Sequence, residues 1–164
     1  MAASPRPIRF VMDHRIFKTP FFGWIFKLAK AIPIAPQKDD PAAYEAAFAK
    51  AQEVLREGDL LAIFPEGAIT RDGELQPFKG GVMKILEGAR AQGIEPPVIP
   101  MALTNLWGSY FSRIELRGGE RVAMAKPFRR GFFSRVGLNV GAPVPPAEVQ
   151  PDALRQRVSA LLAA

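Results

Sequence analysis

The sequence predicts an α/β layer fold. Short apolar strand-like runs alternate with longer helical patterns, in the order strand, helix, short strand, helix, strand, helix, strand. One helix is marked at both ends, and a buried-type strand at 60–64 stops against a proline and opens into a polar loop. In open α/β sheets that position, the carboxyl end of a strand, is where ligands bind.

Taken in order, 8–12 reads as a strand that follows a Pro-rich lead and has almost nothing ahead of it to cover its edge. The stretch 17–30, FKTPFFGWIFKLAK, crowds Phe17, Phe21, Phe22, Trp24, Ile25, Phe26 and Leu28 together with Lys18, Lys27 and Lys30 as its only charges, and Pro20 suits a first helical turn. A helix of this composition either lies in a membrane interface, with rings in the acyl boundary and ammonium groups at the phosphates, or is a core helix buried all round. Residues 31–35 form a short extended segment broken by Pro33 and Pro36. Residues 39–58 then give the clearest helix. Asp40 caps it, Pro41 takes its first position, Gly58 lies past its end, and Tyr44, Ala47, Phe48, Ala51, Val54 and Leu55 recur at helical spacing.

Residues 60–81, LLAIFPEGAITRDGELQPFKGG, carry the chemistry. Pro65 lacks a backbone donor and ends the strand. Glu66 is either an acceptor for a substrate hydroxyl or a cationic neighbour, or a turn residue in solvent. Thr70, Asp72 and Gly73 are turn formers, Arg71 and Lys79 bring two cations toward the next helix, and Gly80 with Gly81 would let backbone donors approach a phosphate. The P-loop spacing is absent. A helix over 80–91 shows Val82, Ile85, Leu86 and Ala89 as its stripe, and strands follow at 97–103, 121–125 and 136–141 before a closing helix at 151–163. The basic aromatic run 128–135 suits bases, phosphates or a membrane, but as one short cluster it does not make the continuous face of a nucleic-acid binder, and no nucleic-acid partner is expected.

The totals bound the function. At 164 residues, 48% hydrophobic and 23% charged, one folded domain over 1–164 is expected. Without cysteine there is no thiolate nucleophile, disulfide framework or Cys-type zinc site, and one histidine, His14, leaves no multi-histidine metal site; no cofactor is expected. His14 itself is either a base or a surface residue; along a strand Asp13 would point to the opposite face. The formal charge of +6 implies an anionic surface or ligand. No apolar h-region opens the sequence and no run of about 18 apolar residues crosses it, so a signal peptide or a spanning helix is not expected.

Phe64-Pro65-Glu66-Gly67, preceded by an apolar strand and followed by Phe78-Lys79-Gly80-Gly81, resembles the third sequence block of the glycerolipid acyltransferases, which include the lysophosphatidic acid acyltransferases. Phe21-Phe22-Gly23-Trp24 with Ala31-Ile32-Pro33-Ile34 resembles the second block and its lead, and Val98-Ile99-Pro100 the fourth, so the resemblance runs over nearly the whole chain. It implies a mixed, largely parallel sheet flanked by helices, and transfer of a fatty acyl group from acyl-CoA or acyl carrier protein to a hydroxyl of a 1-acyl-glycerophosphate or lysophospholipid. It also implies that no metal is needed, and peripheral association with the cytoplasmic side of a membrane. The substrate-binding residues would be Phe64, Pro65, Glu66, Gly67, Arg71, Lys79 and Gly80, with 21–28 as the membrane or acyl-chain face. The variant Glu66-Gly67-Ala68-Ile69-Thr70 resembles acyltransferase domains joined to transporter or acyl-activating modules, which implies fusion to, or association with, such a module.

The family's first block, His-x-x-x-x-Asp, carries the base; counted from His14, its aspartate position holds Thr19. Family order would place the block ahead of the first strand, upstream of Met1, so no catalytic residue is expected within the chain and the chain as given is expected to be inactive. The second block's arginine position falls on Pro36 and the third's on Ile69, leaving Arg71 as a substitute. The competing expectation is a non-catalytic membrane or phospholipid-binding module that keeps the scaffold.

Overall fold

The computed structural model describes residues 6–18, 23–68, 70, 72–107, 114–123 and 135–163. The chain divides into two compact units, one formed by Met1–Pro65 and Gly80–Pro96, the other by Glu66–Lys79 and Pro97–Ala164.

The first unit holds β1 (Ile8–Asp13), α1 (Gly23–Leu28), β2 (Ile32–Ile34), α2 (Pro41–Arg56), β3 (Leu60–Ile63) and α3 (Gly81–Arg90), with a 3-10 turn at His14–Lys18 after β1. The strands make a parallel sheet in the order β2-β1-β3, in register Val11↔Ile32 and Ile8↔Leu60. The bare edge expected for the first strand is therefore not found: β1 is the central strand, with a partner on each side. Local sequence shows what precedes a strand, whereas its neighbours here come from later in the chain.

α2 is the helix that covers this sheet. The Ala43 amide donates to Asp40 Oδ1 at 2.9 Å, Pro41 stands at the start, and the exit closes through Gly58 at φ +78, where the Asp59 and Gly58 amides return to the Val54 and Leu55 carbonyls at 3.2 and 3.1 Å. Its buried Ala47, Phe48, Ala51 and Val54 meet Val11, Ile32 and, from α3, Ile85. At the amino ends of the strands Arg9 holds Asp59 with Nε and Nη2 at 2.9 and 2.6 Å. Both donors converge on one carboxylate oxygen, Oδ2, in a nearly buried position.

The single aromatic helix expected at 17–30 is broken up. Residues 14–18 form the 3-10 turn, 19–22 lie outside the described residues, and α1 is only six residues long with Gly23 as its one buried member. A Cβ at Gly23 would collide with the Phe17 carbonyl oxygen, so the helix begins tight against that turn. Trp24 and Leu28 are 62% and 75% exposed and Ile25 is exposed as well, which overturns the fully buried core helix for this segment.

The second unit is antiparallel. β4 (Met101–Thr104) pairs with β7 (Gly137–Val140), matching Met101 to Val140 and Leu103 to Leu138, and α4 (Pro151–Ala163) packs on β4. The strand expected over 97–103 starts late because Pro97 and Pro100 have no amide to give; Val98 makes only an isolated bridge to Val144. β5 (Ile114–Arg117) was not expected, and it forms a hairpin with β6 (Glu120–Ala123). Gly118 and Gly119, at φ +62 and +89, make its two-residue turn, a Gly-Gly signal that was present in the sequence. The run 128–135 lies outside the described residues except for Arg135. The fold is a mixed α/β structure with a parallel three-stranded sheet flanked by helices; among the described residues no helix is long and apolar enough to cross a membrane.

Candidate functional site

At the carboxyl end of the first unit's sheet, β3 stops at Ile63 and the chain turns through Phe64 and Pro65. Phe64 is 54% exposed yet not free, since its ring stacks on Phe10 with centroids 6.5 Å apart. Gly80 stands at the entry to α3 at φ −68 with open space where a Cβ would be, and no side chain caps the helix there. Its glycine character is thus not demanded by the backbone. At Gly81 a Cβ would instead come within 3.6 Å of Ile63 and 3.8 Å of Phe48, an ordinary packing contact.

His14 departs from the strand geometry expected for it. It opens the 3-10 turn, and its Nδ1 comes within 3.6 Å of Asp13 Oδ1 instead of facing away. That nitrogen is shielded from solvent without a hydrogen bond. Asp13 Oδ1 accepts the Arg15 amide at 2.8 Å, so the carboxylate is fixed by the backbone of the same turn.

The loop Glu66–Lys79 belongs to the second unit, and hydrogen bonds tie it at three places. Glu66 Oε2 accepts the Gln76 amide at 2.8 Å, a bond that closes the loop across its own base. Gly67 sits at φ +66, and a Cβ there would come within 2.7 Å of Lys79 Nζ, so the ammonium lies directly over the Gly67 backbone. Thr70 donates to Asp72 Oδ1 at 2.7 Å, and Asp72 Oδ1 also takes the Glu74 amide at 2.9 Å and the Gln76 side chain at 3.1 Å. From α4, the Arg155 fork grips the Leu75 carbonyl oxygen with Nη2 at 2.8 Å and Nε at 3.2 Å. The Glu74 amide, followed by the Thr70 hydroxyl, holds the Asp72 carboxyl below its ordinary value.

Of the residues expected to bind substrate, Glu66, Gly67 and Lys79 are therefore brought together within this loop, and Phe64, Pro65 and Gly80 flank the junctions where the chain enters and leaves it. Arg71 lies outside the described residues. The residues that shape the loop, Gln76 and Arg155, were not anticipated. A main-chain amide acting as a partner carries no sequence signal, and Arg155 reaches the loop from a helix eighty residues away. Glu66 makes one hydrogen bond among the described residues, through Oε2, so Oε1 remains as an acceptor. What the loop offers chemically is one carboxylate, held through Oε2, and one ammonium group on a restrained backbone.

The acyltransferase family model matches residues 1–104. A chloroplastic 1-acyl-sn-glycerol-3-phosphate acyltransferase of Brassica napus, BAT2, is 30% identical over 95 residues, covering 58% of this chain and 26% of that protein. The 1-acyl-sn-glycerol-3-phosphate acyltransferase of Bacillus subtilis is 24% identical over 132 residues, which cover 80% of this chain and 60% of that one. Among solved structures, the 1-acyl-sn-glycerophosphate acyltransferase PlsC of Thermotoga maritima superposes with a TM-score of 0.53 at 22% identity, over 94% of this chain and 53% of that chain, a likeness of fold. The chain thus spans about a quarter of the plant relative and 60% of the bacterial one. With the family match running from the first strand through β4, and the fold in agreement, the chain belongs to the glycerolipid acyltransferase family.

Proposed function

We propose that this chain is the greater part of a membrane-peripheral O-acyltransferase domain. It would move a fatty acyl group from acyl-CoA or acyl carrier protein to the free hydroxyl of a 1-acyl-glycerophosphate or related lysophospholipid. In that reaction the acceptor oxygen attacks the thioester carbonyl, its proton passes to a base, and the thiolate leaves. The observation that carries this reading is the tied loop after β3, which holds the Glu66 carboxylate and the Lys79 ammonium on one restrained backbone. Glu66 Oε1, which makes no hydrogen bond among the described residues, would accept from an acceptor hydroxyl, and Lys79, with Arg71, would supply positive charge for its phosphate.

The His-x-x-x-x-Asp block is not among the 164 residues. A positioned base contributes about 10²- to 10⁴-fold in rate, so the chain alone should bind acceptor and turn over little of it. Two measurements test this. Acyl transfer from acyl-CoA to 1-acyl-glycerol-3-phosphate should stay near background, and robust turnover would show that a residue within the chain serves as base. Replacing Lys79 by Gln should weaken 1-acyl-glycerol-3-phosphate about tenfold, the size of one charge-assisted hydrogen bond, and leave uncharged 1-acyl-glycerol unaffected. Equal loss for both ligands would remove Lys79 from the phosphate site.

A second reading, a phospholipid-binding module without catalysis, is favoured by the exposed apolar residues of α1. It places the protein on the same cytoplasmic membrane surface. Turnover by the chain would rule it out.

A further inference from the structure

An open cleft of about 430 Å³ lies at the opposite end of the first unit's sheet from Phe64 and Pro65, lined by Arg9, Lys30, Ala31, Ile32, Pro33, Lys50 and Glu57. It sits where the amino end of β2, the last turns of α2 and the turn after α1 meet. Three cations face one carboxylate there. Arg9, its side chain only 11% exposed, is set by Asp59 at 2.6 Å and by Glu57 at 3.6 Å, and Lys50 by Glu53 at 2.7 Å; Lys30 is the cleft cation with no partner among the described residues. From residue 14 to residue 38 the chain has no acidic residue, so none within that stretch offsets Lys18, Lys27 and Lys30.

Lys30 is also held in a conformation that a lysine does not favour. α1 ends with the Ala31 and Lys30 amides returning to the Phe26 and Lys27 carbonyls, both at 3.0 Å, which puts Lys30 at φ +50 in the place where helices ordinarily take glycine. The backbone alone would be better served by glycine. Strain of this kind marks a position where the side chain contributes something the fold does not require. Two residues earlier Leu28 stands 75% exposed, and Trp24, one helical turn before it, 62%.

We propose that the Arg9, Lys30 and Lys50 cleft receives the phosphate of an anionic phospholipid head group while the apolar side of α1 rests in the same bilayer. This anchoring subsite shares no residue with the acceptor loop. The proposal rests on the membrane-peripheral reading above, and names the lipid chemistry that would hold the domain there. Apolar exposure on α1 alone would bind any bilayer; the cleft makes the attachment selective for negative lipid.

Cosedimentation of the chain with vesicles tests it, using phosphatidylcholine alone and phosphatidylcholine mixed with phosphatidylglycerol. Lys30→Gly and Lys50→Gln should each lower partitioning onto the mixed vesicles about fivefold, the effect of one basic residue at an anionic surface, and leave the neutral vesicles unchanged. Lys30→Gly should melt no lower than the unmodified chain, because glycine suits φ +50, so its loss of binding would not be loss of fold. Lys38→Gln, an exposed lysine beyond the carboxyl end of β2, is the control. If it costs as much as the cleft variants, or if those cost nothing, the cleft is not a lipid site although the membrane reading stands. Failure of the unmodified chain to bind the mixed vesicles would overturn both. Competition by inorganic phosphate beyond that of chloride at equal ionic strength would reassign the cleft to a soluble phosphate ligand and overturn the bilayer proposal.

Discussion

The two units treat their apolar residues in opposite ways. In the first, the parallel sheet is closed by the helix that connects its strands, and Val11, Ile32, Phe48 and Val54 are almost wholly removed from water. In the second, the β4–β7 ribbon has α4 on one face only. Ala102 is buried there, while Met101, Leu103, Leu138 and Val140, paired across the ribbon on its other face, stay exposed. The difference follows from topology. A parallel pair requires a crossover and so brings its own cover, whereas an antiparallel pair needs none and covers a face only if some other element happens to pack on it. The second unit's other buried hydrophobic residues, Val144, Val149 and Leu154, lie outside the two strands of the ribbon, and this unit carries the loop on which the acceptor chemistry is proposed to depend.

The contrast can be broken most severely at Phe48. Phe48→Ala should destabilise the fold by about 3–5 kcal/mol in urea unfolding, because the ring is packed among α2, α3 and the sheet and no neighbour can refill its volume. A loss below about 1 kcal/mol would mean that the core is looser than its burial implies. At the loop, Gly67→Ala should cost about 1–2 kcal/mol, since the residue is held at φ +66 and its new methyl group would displace Lys79. Retained affinity for 1-acyl-glycerol-3-phosphate in that variant would show that the Lys79 position is not critical. Leu103→Ala, on the open face, should change stability by no more than about 0.5 kcal/mol, which sharpens the comparison with Phe48. The smallest effect expected is that of Asp72. Its folded carboxyl titrates below the unfolded value near 3.8, so its support of the loop is complete above that pH and is lost as the pH falls through the folded value. Amide chemical shifts of Gly73 and Glu74 should report that loss at low pH, and Asp72→Asn should abolish the transition.

What the sequence made legible was local. Asp40, Pro41 and Gly58 mark both ends of α2 because capping is a matter of a few adjacent residues, and the structure ends the helix where they say. Pro65 likewise marks the end of β3 and the start of the polar loop. The central place of β1 was not legible, since nothing in residues 8–13 records that both of its partners lie further along the chain. Exposure was equally hidden at α1, where the same aromatic composition serves a core helix or a surface one and only packing decides. In the loop, the residue types were readable but their wiring was not. Glu66 is spent partly on a main-chain amide, and the loop is gripped by Arg155 from the far end of the sequence.

The placement of β1 also bears on how the protein is made. During synthesis Ile8 leaves the ribosome long before Leu60, its neighbour in register, and Val11 well before Ile32. The sheet can be completed only after α2 and β3 have emerged, so in the interval the nascent chain carries a strand with open sides and an unclosed core. Parallel pairings of this separation are slow to form and leave sticky intermediates. For this chain the interval in which β1 waits for β3 is where a holding chaperone, or a slowing of translation, would have its greatest effect on yield.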